Sequence, residues 1–189
     1  MYLFFDTETT GLPRNWQAPL EDLNNWPRLV QIAWLLFDDN NQEIARANYI
    51  VRPEGFAIPE AAAQVHGITT EKALSQGEDL SLVLSDFSAA TRDAKIIIAH
   101  NMSFDEKIAG AEFLRKEIEH ELFTTPRFCT MQASTDFCAI PGNYGYKWPS
   151  LSELHIKLFK EDFPDAHDAL VDVRACARCF FEMKNLGII

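Results

Sequence analysis

A layered, mixed α/β fold is what this 189-residue sequence predicts, and three features carry the prediction. Three strand-like segments come first, strand and helix patterns alternate after them, and the run Ile96-Ile97-Ile98-Ala99 is wholly apolar. The first two features describe a sheet with helices packed on it. The third describes a strand covered on both faces. Hydrophobic residues make up 47% and charged residues 24%, the balance of a soluble globular protein, and the 14 Phe and 4 Trp exclude disordered and low-complexity classes. A chain of this length can bury well over half of its unfolded surface, so one domain spanning residues 1–189 is expected.

Taken in order, Tyr2 to Glu8 predicts a buried strand that ends in the turn Thr9-Thr10-Gly11. A loop containing Pro and Trp runs to Pro27, and Leu29 to Asp38 is a second strand. Asp38-Asp39-Asn40-Asn41 is a turn and Gln42 to Val51 a third strand, which makes a meander. Pro59 opens a short helix that stops at His66-Gly67, where glycine suits a C-cap. A helix over Asp79 to Arg92 precedes the Ile96–Ala99 strand. The next helix runs from about Ser103 to Glu117, with Ser103 and Glu106 spaced as a capping box. A helix after Thr130, a Gly/Pro/Tyr-rich loop from Pro141 to Pro149, a helix from Leu151 to Phe159 and a final helix from Asp168 to Lys184 complete the reading.

Charge and cysteine content bound the function. With 17 Lys+Arg against 28 Asp+Glu the net charge is −11, which excludes a general coater of duplex DNA, because such binding depends on Lys and Arg neutralising phosphates. Any polyanion must be held locally, by metal ions, backbone amides or a few placed cations. No apolar run is long enough for a membrane helix, and the N-terminus meets an acid at Asp6 without a basic segment, so a cytoplasmic protein with no membrane partner is expected. Cys176 and Cys179 have C-x-x-C spacing, but on a helical pattern with no second pair; buried free thiols are the expectation.

Asp6 and Glu8 lie two apart on a strand, so both carboxylates project from one face at its carboxyl end, where open α/β sheets place their sites. Two acids there are costly unless a cation lies between them, and a divalent ion is the natural partner. Asp105 sits in a first helical turn after a strand, Asp172 one turn into the last helix, and His167 just before that helix. Alone, Asp105 reads as an acid favouring the helix dipole.

Together, Phe5-Asp6-Thr7-Glu8-Thr9-Thr10-Gly11, His100-Asn101-Met102-Ser103-Phe104-Asp105 and His167-Asp168-Ala169-Leu170-Val171-Asp172 resemble, in order, the three motifs of the DEDDh exonuclease family. That family includes the proofreading subunit of bacterial replicative polymerases, ribonuclease T and oligoribonuclease. Arg28 to Ala33 and Val65 to Thr69 also look like family segments, and the resemblance covers roughly residues 2 to 180. It implies a ribonuclease H-like mixed five-stranded sheet flanked by helices. It also implies 3′→5′ removal of nucleoside 5′-monophosphates from a nucleic-acid end. By position, Asp6, Glu8, Asp105 and Asp172 correspond to the four metal-site acids and His167 to the general base. Two Mg²⁺ ions about 4 Å apart are the expected cofactors, with Mn²⁺ able to substitute. Asp6 would bridge them, Glu8 and Asp172 would serve the nucleophile-side ion, and Asp105 the second. Histidine is the side chain most often used as such a base, which suits this position.

Five more residues are candidate substrate contacts. Phe104 can stack on a terminal base. Thr9 and Leu12 follow the first motif and can receive the terminal sugar and base. His66 resembles a substrate-contacting histidine but suits a C-cap equally, and Asn101 can bond sugar or phosphate or cap its helix. Tyr144, Tyr146, Lys147 and Trp148 suit single-strand contact by composition, although a packed loop is the expectation. The motif Asp6 to Gly11 looks more like the proofreading branch, which favours a single-stranded DNA 3′ end over RNA. The alternatives are an exoribonuclease, a nucleic-acid binding module of the same fold, and a polymerase-associated subunit.

Overall fold

The protein, described here from a computed structural model, has residues 1–163 and 167–189 in defined positions. Strands β1 (Tyr2–Thr9), β2 (Leu29–Phe37) and β3 (Glu43–Ile50) form the antiparallel meander. Asp38 closes its second turn by accepting the N–H groups of Asn40 and Gln42 at 2.9 and 2.8 Å. Helices α1 (Glu60–His66), α2 (Thr70–Gln76) and α3 (Leu80–Asp93) follow, before β4 (Ile96–Ala99) and α4 (Met102–Lys116). Then come β5 (Arg127–Cys129), α5 (Thr130–Ala133), α6 (Thr135–Cys138), the small hairpin β6 (Pro141–Gly142) and β7 (Gly145–Tyr146), α7 (Leu151–Phe159) and α8 (Ala169–Asn185). The main sheet is five-stranded in the order β3-β2-β1-β4-β5, with β4 parallel to both neighbours.

Alternation along β1 divides the core. Leu3 and Phe5 face α3 and α4, where Phe87 stands 5.1 Å from Phe5 and Ile108, Ala109 and Phe113 are fully buried. Phe4 faces the other way, with Ala33, Leu35 and Ile98, onto Ala169, Val173, Cys176, Ala177 and Phe180 of α8. Each of these large side chains contributes about 1.5–3 kcal/mol by leaving water. The periodicity also fixes the polar end of the strand. Asp6 and Glu8 continue the Phe4 side toward α8, and Thr7 continues the Phe5 side toward α4. Because β1 pairs with β4 only from Tyr2 to Phe4, its last residues run past the end of β4 and leave a notch between two parallel carboxyl ends.

Several local expectations are corrected. α2 gave no recognisable pattern because only Ala73 of its seven residues is buried; Thr69 caps it by accepting the Lys72 N–H at 3.1 Å. The three residues of β5 are too few to show alternation and are held in place by β4. The helix after Thr130 is two short helices divided at Ser134. Ser103 and Glu106 form no capping box. The chain leaves β4 through a left-handed Asn101 and α4 starts at Met102, so Ser103 already lies in the first turn and donates to Asn101 Oδ1, while Glu106 pairs with Arg127 at 2.9 Å. A complete capping box heads α7 instead, between Ser150 and Glu153. The Pro141–Pro149 segment is not a packed loop: Tyr144, Tyr146 and Trp148 are all exposed. Among the described residues, no helix is long and apolar enough to cross a membrane.

Candidate active site

At the notch the chain gathers acids from three elements. Asp6 and Glu8 come from β1 and Asp172 from the first turn of α8. Asp168 caps that helix by accepting the N–H groups of Leu170 and Val171 at 2.9 and 3.3 Å. Gln31 of β2 fixes the same turn, accepting the Ala169 N–H at 3.3 Å through Oε1 and donating to Asn48 at 2.8 Å. Asp105 reaches in from α4, on the opposite side of the sheet. It is anchored by Thr7, which donates to Asp105 Oδ1 from its backbone N–H at 3.1 Å and from its hydroxyl at 2.7 Å. β1 has run out of β4 to bond with at Thr7, so its N–H is free for a side chain.

His167 adopts a left-handed conformation (φ 76°) and donates its backbone N–H to Asp172 Oδ2 at 3.1 Å. Its exposed ring offers a nitrogen within 4.8 Å of carboxylate oxygens of both Glu8 and Asp172. The cluster thus contains all five of the acids and base expected from the sequence.

The carboxylates are electrostatically unhappy without a cation. Burial is the largest cause that raises the proton affinity of Asp6, followed by repulsion from Asp105, Asp172, Glu8 and Asp168. Burial, then Asp172, Asp105 and Asp168, pushes Glu8 up to about 8. Asp105 is raised to about 7 by burial against the opposing pull of its two Thr7 hydrogen bonds. Asp172 is raised by burial, with the His167 N–H working the other way. Its Oδ1 is buried without a hydrogen-bond partner. An orphaned carboxylate oxygen among like charges is the environment a hard divalent cation resolves, so the residues present fit such an ion.

Two cavities adjoin the cluster. An acidic cleft of about 340 Å³ is lined by Asp6, Glu8, Asp105, His167 and Asp172 together with Leu12, Trp16, His100, Asn101, Phe104 and Leu151. Beside it, an apolar cavity of about 400 Å³ is lined by Thr9, Leu12, Ala62, Val65, His66 and Phe104 among others. Leu12 is 74% exposed and, like Phe104, borders both. The Thr9 hydroxyl is turned inward, donating to the Gly11 carbonyl at 2.6 Å. His66 is buried in the last turn of α1, yet its ring does not cap that helix: Nδ1 accepts the Ile68 N–H at 3.2 Å, and Nε2 has no partner. Asn101 makes no side-chain cap either and lines the acidic cleft. All five expected substrate contacts therefore border one cavity or the other.

Four residues at the site escaped sequence reasoning as individuals. Thr7 was hidden between the two acids that drew attention. His100 opens the second motif; its Nε2 lies 3.1 Å from the Pro149 carbonyl and its Nδ1 3.0 Å from the Thr130 hydroxyl. A carbonyl only accepts, so Nε2 carries the proton, and burial holds His100 at about 4, neutral at working pH. Trp16, 5.7 Å from the Phe104 ring, and Leu151 carry no local signal and become neighbours of the acids only through the fold. The cysteines stay outside the site: all four are free, and burial pushes Cys179 up to about 12.

The sequence model of the family described as Exonuclease matches residues 3–180. No curated protein matches the chain by sequence. Among solved structures, E. coli exonuclease I in complex with a dT13 oligonucleotide superposes with a TM-score of 0.77 at 20% identity, over 97% of this chain and 40% of that one. The zinc-bound E. coli exonuclease I–ssDNA complex gives 0.77 at 21% identity, with the same coverage. A moderately thermophilic exonuclease I from Methylocaldum szegediense gives 0.77 at 18%, again over 97% and 40%. The chain thus spans about two fifths of the length of these structures, and at such identity the likeness is one of fold: the ribonuclease H-like mixed sheet.

Proposed function

The chain belongs to the exonuclease family, and from that membership we propose that residues 1–189 act as a divalent-metal-dependent 3′→5′ exonuclease on single-stranded DNA, releasing nucleoside 5′-monophosphates. The observation that carries the reading is the convergence of Asp6, Glu8, Asp105 and Asp172, with an orphaned Asp172 oxygen and His167 at their edge.

Asp6, Glu8, Asp105 and Asp172 would hold two divalent cations, Mg²⁺ by preference because the donors are carboxylates, with Mn²⁺ as a substitute. Such cations, when bound, neutralise phosphate charge and lower the pKa of an attacking water. The chain's own residues do the rest. His167 stands open to solvent beside Glu8 and Asp172, so its ring accepts the proton of the attacking water and returns it to bulk. The bond from its N–H to Asp172 keeps that ring in register with the acids. The apolar cavity receives the terminal nucleoside, with Phe104 and Leu12 against the base. A base can enter it only when unstacked and unpaired, which favours a single strand. DNA is favoured over RNA by a largely apolar lining in which the Thr9 hydroxyl proton is committed to the Gly11 carbonyl and is not available to donate to a 2′-OH. Exonuclease I on dT13 holds single-stranded DNA on this same fold, which supports the choice. Four unpaired cysteines support a reducing, cytoplasmic setting.

The test is digestion of 5′-labelled single-stranded DNA and RNA with Mg²⁺, Mn²⁺ or chelator, repeated with Asp6→Ala. The expected result is stepwise shortening of DNA from its 3′ end, abolished by chelator and by the substitution. Activity that survives either condition, or internal cuts, would overturn the reading.

A further inference from the structure

Of the chain's 22 aromatic Phe, Trp and Tyr residues, the large exposed ones among the described residues are four: Trp16, Tyr144, Tyr146 and Trp148. They lie on two segments that reach the acidic cleft. Trp16 lines the acidic cleft directly. The other three project from the β6–β7 hairpin, at 103%, 55% and 61% exposure. Pro149, the residue after Trp148, offers its carbonyl to His100 of the cleft at 3.1 Å, and Leu151, two residues further on, lines the cleft as well. Exposed tryptophan and tyrosine side chains on segments that end at a cleft are unusual for a surface with no ligand to cover them.

The hairpin is built to present them. Gly145 takes φ +111°, which a side chain would strain, so the two-residue turn Asn143-Tyr144 can close the ladder between Gly142 and Gly145. The ladder continues through Pro141↔Tyr146 and the bond from the Lys147 N–H to the Ile140 carbonyl at 2.9 Å. Tyr146 and Trp148 flank Lys147, which turns to Glu153 of α7, with its Nζ at 2.6 Å.

We propose that this hairpin is a stacking platform for nucleotides of the substrate strand on the 5′ side of the scissile bond. The platform takes its ligand from the exonuclease reading and rests on it for that identity. Charge decides between stacking and phosphate neutralisation. The protein carries −11, and Lys147, the one cation between Ile140 and Pro149, is already paired with an acid. On this hairpin a single strand is then gripped through base faces, each aromatic being able to hold one base irrespective of sequence. Binding so founded depends weakly on salt.

The test compares the 189-residue protein with the double substitution Tyr146→Ala, Trp148→Ala, and with Trp148→Phe. KM and kcat are measured on an oligothymidylate of twenty nucleotides and on the dinucleotide dTpdT. Direct binding of the fluorescently labelled long oligomer is followed with Ca²⁺ in place of Mg²⁺. The platform requires that KM for the long oligomer rise about tenfold or more in the double variant, that kcat and all dinucleotide kinetics stay put, and that Trp148→Phe restore most of the loss. It also requires a log–log salt slope no steeper than about −2. Equal effects on both substrates, or none on the long one, overturn it. So does a change in self-association alone, which would make the hairpin a protein contact. Binding separates the two proposals. A protein that binds in a hairpin-dependent way but releases no mononucleotide refutes the exonuclease and keeps the platform, whereas one that cleaves but binds equally well without the aromatics refutes only the platform.

Discussion

Thr7 donates twice to Asp105 across the end of the sheet, and this small residue sets how far the fourth acid leans into the cluster. Thr7→Val keeps the shape and the backbone donor but removes the hydroxyl. Divalent-metal affinity by calorimetry is expected to fall by about 10- to 100-fold, as it does when a ligand's orienting partner is lost, and Thr7→Ser should recover it. His167 behaves differently because it touches the acids at their solvent edge. His167→Ala should bind metal and single-stranded DNA as before while kcat drops by about 10²- to 10⁴-fold; unchanged turnover would remove it as the base. The five polar residues of the cluster could be read from the order of the motifs that carry them and the family these resemble, and strand alternation and helix position agree in directing them to one end of the sheet. Thr7, Trp16 and Leu151 could not, because nothing within a few residues of each indicates what it meets.

Helix α4 joins the acid cluster to the loop that bears Leu12 and Trp16. Asp105 occupies its first turn; further along, Lys107 donates to the Trp16 carbonyl at 2.9 Å and Arg115 to that of Trp26 at 2.8 Å. Between them lies Glu112, fully buried, which accepts the Arg28 side chain at 2.8 Å and the Leu29 N–H at 3.0 Å and lies 3.0 Å from Arg115. The helix therefore fixes both the acid and the lip shared by the two cavities. Glu112→Gln leaves two partly buried guanidinium groups short of a counter-charge, and a loss of about 3 kcal/mol in urea unfolding is expected, with a raised KM on single-stranded DNA. Elements with a strong internal pattern, such as α7, α8 and β4, follow directly from periodicity and caps. α2 and β5 do not, because each is stabilised by neighbours distant in sequence.

For the whole molecule, the acid cluster lowers stability in exchange for a site. Glu8 at about 8 and Asp105 at about 7, with Asp6 and Asp172 raised as well, bind protons more tightly folded than unfolded. Their contribution is whole at acid pH and is lost as pH climbs from about 4 toward 8. Buried His100, held at about 4, has the opposite slope, but its window closes once the unfolded imidazole is neutral, near 6.5. The melting temperature of the metal-free protein should therefore decline between pH 6.5 and 8.5. Mg²⁺ or Mn²⁺ should restore it, and more at pH 8 than at pH 6. Asp6→Asn should flatten that decline and raise the metal-free melting temperature while abolishing hydrolysis. A metal-free melting temperature independent of pH across this range would contradict the clustering of charge.

The amino-acid sequence sufficed for the mixed sheet and most of its elements, which follow from periodicity and caps. It also sufficed for the five polar residues at the notch, which stand out through the order of three motifs resembling a known family rather than through any one spacing. Only the tertiary structure decided that β1 outruns β4, that Thr7 thereby gains Asp105, that His66 and Asn101 do not cap their helices, and that the 141–149 hairpin stands exposed beside the cleft. The division has a physical cause. Periodicity and capping act over a turn or a strand pair and leave their mark in neighbouring letters. Strand length relative to a partner, and contacts between residues 30 to 137 positions apart such as His100 with Thr130 and Gln31 with Asp168, are settled by packing that no local pattern encodes.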